Sequence, residues 1–236
     1  MLDLIGAIVG MMAIGVNLVA FTGALPSSPS QRIVLAGIAS AWVGLATGLG
    51  AAGQLEFSPD QPVPLVGVLF AAPLLIVGAL AFLSSGIRSA LMSVPVSMLI
   101  GLNALRVLGV LFLFLAAAGR LSGPFPFSAG LGDIITGAFA IPLALAVARS
   151  QRVPLAGVVL WNIFGTLDLV AAVALGITSA AGSPLQLIYA GVGSEAMQHL
   201  PFCLVPTVLV PFYLITHGIV FAHLAQQRAL PALSVA

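Results

Sequence analysis

The sequence predicts an all-α integral membrane protein: a bundle of about seven transmembrane helices, with the N-terminus outside and the C-terminus in the cytoplasm. Of the 236 residues, 61% are hydrophobic and only 6% are charged, and the mean hydropathy is +1.22. A soluble domain carries about a quarter of charged residues to cover its surface. Most of the surface of this chain is therefore expected to face lipid.

Apolar runs along the chain are long enough to cross a bilayer, because a hydrocarbon core of about 30 Å needs about 20 residues of helix. The first run has Asp3 as its only early charge, whereas a cleaved signal peptide begins with basic residues, so we expect a retained helix. The separators are rich in proline, glycine and serine. The predicted spans, which make one domain over residues 1–236, are 4–25, 33–53, 65–85, 94–119, 126–148, 153–177 and 200–224.

The arginines predict the direction of insertion, because cytoplasmic loops are enriched in basic residues. With the N-terminus outside, the cytoplasmic segments hold five arginines, namely Arg32, Arg88, Arg149, Arg152 and Arg228. The outer segments then hold one arginine together with most of the acids, namely Arg120, Asp3, Glu56, Asp60 and Glu195. The opposite orientation would reverse this asymmetry.

Several functional classes are excluded by composition. All seven basic residues are arginines, so the chain has no lysine for a Schiff base or a P-loop. A net charge of +1 provides no basic stripe for nucleic acid. Cys203 is the only cysteine, so no intrachain disulfide forms. The expected partners are the lipid bilayer and a small solute or ion.

Charged residues inside the predicted spans point to a polar site. Arg106, Asp133 and Asp168 lie within spans four, five and six, where a charge at the helix centre costs roughly 2.5–3.5 kcal/mol. We therefore expect Arg106 to pair with at least one aspartate, in a substrate- or ion-binding site that Asn103 and Asn162 complete. A purely structural salt bridge is the alternative.

A second polar group lies at the entrance to the seventh span. Glu195, His199 and Cys203 follow one another at intervals of four residues, and would share one face if a helix continued through Pro201. Carboxylate, imidazole and thiolate are all metal ligands. The same region offers His199 or His217 to a haem or a quinone, although such histidines also hydrogen-bond to neighbouring helices.

Two further features concern packing and the predicted outer surface. The glycine pairs Gly6/Gly10 and Gly44/Gly48 have the spacing of close helix contacts, which predicts tight packing or a homo-oligomer through glycine-rich faces. The segment 178–199 is predicted to lie outside and carries an apolar patch at 185–189. It is expected to form a short interfacial helix or a lid, or else an ordinary loop.

Three short motifs carry a resemblance to a known group. They are Arg106-x-x-Gly109, Gly132-Asp133 with Gly137, and Trp161-Asn162-x-x-Gly165-x-x-Asp168. The chain resembles, in these motifs, a group of uncharacterised bacterial polytopic integral membrane proteins with no assigned activity. The resemblance implies a multi-pass protein of the bacterial inner membrane.

The leading functional hypothesis is a membrane protein with a buried Arg/Asp polar site that binds or transports a small solute or ion. One alternative is a haem- or quinone-binding protein that uses His199 or His217. Another is a membrane-embedded enzyme acting on a lipid substrate, with Asp133 or Asp168 as general base. The chain has no soluble-type catalytic motif, so an enzyme is less favoured. A subunit without chemistry of its own is a further possibility.

Overall fold

The structure is a computed structural model that describes residues 1–57, 64–149 and 155–233, with side chains described as far as Gln227. The orientation argument used Asp60 and Arg152, which lie outside these ranges. It also used Arg228, whose side chain is not described. The membrane orientation therefore stays a prediction. The assignment of a single domain also stays a prediction.

Seven helices in the described ranges are long and apolar enough to cross a membrane, which confirms the all-α class and the number of candidate spans. We number them as spans one to seven. Their bounds are Leu2–Ala24, Pro29–Ala51, Leu65–Leu83, Val96–Ala117, Phe125–Arg149, Leu155–Ser179 and Val205–Gln227. A short helix, Ser85–Met92, follows the third span, and a 3₁₀ helix, Glu195–Gln198, precedes the seventh.

Local sequence explains where the second span and the short helix begin. Ser28 accepts a hydrogen bond from the backbone of Gln31, whose side chain in turn accepts one from the backbone of Ser28. Pro29 occupies the first turn, where no backbone donor is needed. Ser84 caps the helix Ser85–Met92 by accepting from the backbone N–H of Ile87. These caps satisfy backbone donors that a helix cannot satisfy internally.

Two spans depart from regular α-helix. The fourth is α-helical over Val96–Leu102, becomes a 3₁₀ helix over Asn103–Gly109 and is α-helical again over Val110–Ala117. The seventh begins as a π-helix, Val205–Leu209, around Pro206, and continues as the α-helix Val210–Leu233. Such irregular turns within helices often mark functional sites or hinges.

Ion pairs identify one end of the bundle, and an apolar cluster identifies the other. Arg120 pairs with Asp3 at 2.6 Å (Nη1 to Oδ1), and His199 lies 3.3 Å (Nδ1 to Oε1) from Glu56. We call this the Arg120 end. Leu25, Val94 and Leu224 pack in one apolar cluster at the other end, which we call the Arg88 end because Arg88 follows the third span there.

Glycines let the fifth span approach the 3₁₀ segment of the fourth. A Cβ on Gly137 would lie 2.5 Å from the backbone nitrogen of Val107, closer than atoms tolerate. Gly6 of the first span likewise faces Phe202, whose ring would be 2.6 Å from an added Cβ. Gly10, Gly44 and Gly48 instead face open space, so their proposed role in a homo-oligomer stays a prediction.

The segment 178–199 is mostly irregular. Residues 185–189 form no helix, and Leu187 and Tyr189 are 75% and 80% exposed. The backbone N–H groups of Leu187 and Ile188 both donate to the carbonyl of Thr178. Of the alternatives for this segment, the interfacial helix is therefore wrong at 185–189, where the chain forms a loop. The end of the segment does cover a cavity, which is described below.

Candidate functional site

Arg106 lies in the 3₁₀ segment of the fourth span, and its side chain is fully buried. Its Nε is 2.7 Å from Oδ1 of Asp133, and its Nη2 is 2.5 Å from Oδ2 of Asp168. The predicted pairing is confirmed, and it involves both aspartates rather than one. Three successive spans thus contribute one charge each to the same buried point.

The third nitrogen of the guanidinium also has partners. Nη1 donates to the carbonyl of Gly165 at 3.2 Å and lies 3.1 Å from Nε2 of His217. A guanidinium can only donate, so Nε2 of His217 accepts. The ring proton is then on Nδ1, which donates to Oδ1 of Asn162 at 2.7 Å. Asn162 returns a bond from Nδ2 to the carbonyl of His217.

These contacts define the Arg106 cluster, which consists of Arg106, Asp133, Asp168 and His217. Aromatic rings enclose it on two sides. The Trp161 ring packs on His217 with centroids 5.0 Å apart, and Trp161 Nε1 donates to the carbonyl of Thr136. The Tyr213 ring centroid is 5.8 Å from Cζ of Arg106, and the Tyr213 hydroxyl accepts a bond from Asn17.

Glycine is required at positions that face the charged side chains. An added Cβ at Gly132 would overlap Oδ1 of Asp168, and one at Gly109 would overlap Cβ of Asp133. A Cβ at Gly165 would lie 2.6 Å from Cε1 of His217. The glycines therefore provide the space in which the buried charges meet, in addition to close backbone packing.

The cluster holds one guanidinium, two carboxyl groups and a neutral His217 that accepts on Nε2. With both carboxyl groups ionised, its formal charge is −1. Exposure separates the two carboxylates, since the side chain of Asp133 is 16% exposed and that of Asp168 is 7% exposed. Asp133 is thus the more accessible end of the cluster.

A cavity extends from Asp133 to the Arg120 end of the bundle. We call it the first cavity. It encloses about 750 Å³ of space between atoms, including the open space at its mouth. Among the described residues its lining is apolar except at Asp133, Ser194 and Gln198. Gln198 and Ser194 come from the segment 178–199, which therefore covers the cavity.

A second cavity lies between the first, fourth and seventh spans and encloses about 660 Å³ of space between atoms, including its open mouth. Arg106, Tyr213 and Gly6 line it, and so does Asp133. The two cavities share walls at Phe112 and Leu169. Asp133 is the charged side chain that the linings have in common, as far as the chain is described.

The part of the chain that holds the site also matches a known protein family. A family model described as a domain of unknown function, DUF8737, matches residues 63–225. The chain belongs to the DUF8737 family. The match contains spans three to six, most of span seven and all members of the Arg106 cluster. No curated protein and no solved structure matches the chain. The predicted relation to uncharacterised proteins is confirmed at this level, whereas a bacterial source stays a prediction.

The two asparagines predicted for the site have different positions in this DUF8737 chain. Asn162 accepts a hydrogen bond from Nδ1 of His217 and so fixes the orientation of this ring in the cluster. Asn103 donates instead to the carbonyl of Leu99 and to Oγ1 of Thr216. Neither asparagine is part of the lining of the two cavities. Their role in binding a ligand stays a prediction.

The expected metal group does not come together. The continuous helix through Pro201 is wrong, because the 3₁₀ helix ends at Gln198 and the seventh span begins at Val205. Cys203 is fully buried and faces Gly50, whereas His199 is close to Glu56 and Glu195 at the Arg120 end. No set of three or more metal-ligating His, Cys, Asp or Glu occurs within the described ranges.

The histidine offered to a haem has no lone pair to give. The lone pair on Nε2 of His217 accepts from Arg106, and Nδ1 donates to Asn162, so iron could bind Nε2 only after the bond from Arg106 breaks. His199 lies among carboxylates with its side chain 42% exposed. The cofactor hypothesis therefore gains no support from either ring.

Sequence reasoning missed two residues of this site. The sequence offers His217 only to a haem or a quinone, because its distance from Arg106 along the chain hides their contact. Gln198 was not singled out, although its side chain lines the first cavity and its Nε2 is buried without a partner in the described structure. A polar residue just before an apolar span was the available signal.

Proposed function

We propose that this chain is a multi-pass membrane protein that binds or transports a small solute or ion at Asp133. One observation carries the proposal: Asp133 belongs both to the buried Arg106 cluster and to the lining of two cavities. Ionisable groups inside a bilayer are rare, and typically mark solute or ion pathways where they face a cavity.

The cluster orients Asp133 towards the cavity. Oδ1 accepts from Nε of Arg106, while no hydrogen bond to Oδ2 occurs within the described residues. An ionised carboxylate has about four lone-pair sites, so Asp133 retains acceptor capacity for a ligand. Arg106, held on all three nitrogens, acts as the fixed support.

The two cavities together suggest a path as well as a binding site. They meet at Asp133, and Val205 and Val210 of the seventh span line both of them. Val205 is the first residue of the π-helix, and Val210 follows its last residue, Leu209. We propose that movement of this segment connects the cavities during transport.

The fold and the resemblance support a location in a membrane. Seven apolar helices suit a multi-pass protein in a lipid bilayer. We place the protein in the bacterial inner membrane, with the Arg120 end outside. The arginine distribution supports this orientation because the Arg88 end carries Arg32, Arg88 and Arg149.

Thiol accessibility tests the proposal without knowledge of the ligand. Ala172 lines the first cavity, while Ala140 is fully buried in the fifth span and lines neither cavity. In a Cys203→Ala background, Ala172→Cys should react with a membrane-impermeant thiol reagent and Ala140→Cys should not. Both proteins are reconstituted in lipid, and modification is followed by mass spectrometry.

Equal inertness of the two cysteines would contradict the proposal, because a sealed bundle cannot bind or pass a solute at Asp133. Tyr189→Cys, at an exposed position of the segment 178–199, provides the positive control for reagent activity.

A further inference from the structure

We infer that the ligand of the first cavity is an amphipathic amine: an ammonium group at Asp133, an apolar body, and a hydrogen-bond acceptor at the far end. This inference rests on the proposed function and names its ligand class. It is carried by three features of the cavity, which are the charge at one end, a polar side chain at the other and the apolar wall between them.

Charge selects the group at Asp133. The Arg106 cluster has a formal charge of −1 with both carboxylates ionised, and an ammonium group balances it. An ionised carboxylate is also an acceptor only, so the ligand must present an N–H or O–H. An ammonium ion meets both requirements through one group.

An anionic ligand is disfavoured by the same geometry. Arg106 bonds to Asp133, but its side chain is fully buried and is not part of the lining of the first cavity. Its nitrogens already bond to Asp133, Asp168, Gly165 and His217. An anion in the first cavity would therefore meet Asp133 before any free donor of Arg106.

Gln198 selects the other end of the ligand. Its Oε1 accepts from the backbone N–H of Phe57 at 2.8 Å, which fixes the orientation of the amide. Its Nε2 then remains a donor that is buried and without a partner in the described structure. A buried donor left unsatisfied costs free energy, and a carbonyl or hydroxyl oxygen on the ligand would satisfy it.

The wall between these two ends is apolar and partly aromatic. Phe70, Phe112 and Phe125 line it together with aliphatic side chains. Such a surface favours a hydrocarbon or aromatic body and penalises a ligand that is polar along its length. A bare metal cation would leave this wall and the amide of Gln198 unused.

Three aromatic probes of nearly equal size separate these requirements. Tyramine has the ammonium and a phenolic oxygen, tyrosol replaces the ammonium by a hydroxyl, and phenethylamine lacks the phenolic oxygen. Each is added to reconstituted Ala172→Cys protein in the Cys203→Ala background. The concentration that halves the rate of thiol modification measures binding.

We expect tyramine to protect at a concentration at least about tenfold lower than tyrosol, because a charge-assisted hydrogen bond is lost in tyrosol. Asp133→Asn should remove this preference for the amine, whereas Asp3→Asn at the exposed ion pair should not. Tyramine should exceed phenethylamine about fivefold through one neutral hydrogen bond. Gln198→Glu, which removes the donor but keeps the acceptor for Phe57, should abolish that ratio.

Equal protection by tyramine and tyrosol, or a preference for the amine that survives Asp133→Asn, would overturn the inference. So would a failure of tyramine to protect while Ala172→Cys still reacts, and in that case the proposed function stands. If Ala172→Cys itself is as inert as Ala140→Cys, the proposed function fails first. The modification rate without probe thus distinguishes the two failures.

Discussion

Two arginine–aspartate groups of similar geometry occupy very different surroundings in this chain. Arg120 pairs with Asp3 at 2.6 Å, with side chains 34% and 58% exposed. Arg106 pairs with Asp133 and Asp168 at 2.7 and 2.5 Å, and its own side chain is 0% exposed. Distance does not distinguish the two groups, so the difference between them is one of burial.

Burial changes what each pair contributes. An exposed ion pair typically contributes about 0.2–1 kcal/mol to the free energy of unfolding, because water screens its charges. Removing one partner of a buried pair costs about 3–5 kcal/mol, because the other charge stays desolvated. The Arg106 group should therefore govern folding and binding, whereas the Arg120 pair should be nearly dispensable.

The largest effect is expected from Arg106→Leu, which leaves two buried carboxylates without a counter-charge. We expect a loss of about 3–5 kcal/mol in the free energy of unfolding, measured by denaturant titration in detergent micelles. Replacing both aspartates by asparagine in the same protein should recover most of the loss. Arg120→Leu is the matched control, and an equal cost for both arginine variants would show that burial is not decisive.

Gly132→Ala should have the next largest effect, because its Cβ would overlap the carboxylate of Asp168. Overpacking of this kind costs about 1–3 kcal/mol. Gly218→Ala is the control, since nothing lies within 4 Å of an added Cβ there. Thermal unfolding of both variants checks the prediction, and a melting temperature of Gly132→Ala that equals that of Gly218→Ala would refute it.

Asn162→Leu should lower the free energy of unfolding by a comparable amount. It removes the acceptor for Nδ1 of His217, which leaves a buried donor unsatisfied at a cost of about 1–3 kcal/mol. Nitrogen NMR of labelled histidine should show the proton on Nδ1 in the parent protein. A spectrum with the proton on Nε2 instead would contradict the bond from Arg106.

Arg120→Gln should have the smallest effect and lower the free energy of unfolding by about 0.2–1 kcal/mol. Most of that contribution should disappear at high salt, because ions screen exposed charges. Unfolding at low and at high ionic strength measures the difference. A large effect that salt does not change would mean that Asp3 and Arg120 are less exposed than the structure shows.

The number and type of the helices could be predicted from the sequence, because the hydrocarbon core sets both length and composition. The irregular turns within the helices were harder to predict from the sequence. Nothing in the sequence of Asn103–Gly109 marks a 3₁₀ helix, and its close packing against Gly137 of the fifth span is visible only in the fold. The break after Gln198 was hidden because helical spacing was extended across Pro201.

The charged core of the site could also be predicted, because lipid tolerates Arg106 only beside its counter-charges. The role of His217 and of Gln198 could not. Both depend on how the seventh span and its entrance sit against the fourth, fifth and sixth spans, which is decided by tertiary packing rather than by local pattern. The glycines at 109, 132 and 165 were visible, but only the fold shows which side chain each one admits.

The charge selectivity of the first cavity shows directly whether Asp133 forms one end of it. Ala172→Cys in the Cys203→Ala background is modified with a trimethylammonium and with a sulfonate methanethiosulfonate reagent, and the ratio of rates is normalised to Tyr189→Cys. If Asp133 forms the end of this cavity, the cationic reagent should react faster there, because negative charge raises the local concentration of cations. Asp133→Asn should bring the normalised ratio towards one. A ratio that favours the anion, or one that Asp133→Asn leaves unchanged, would contradict the account.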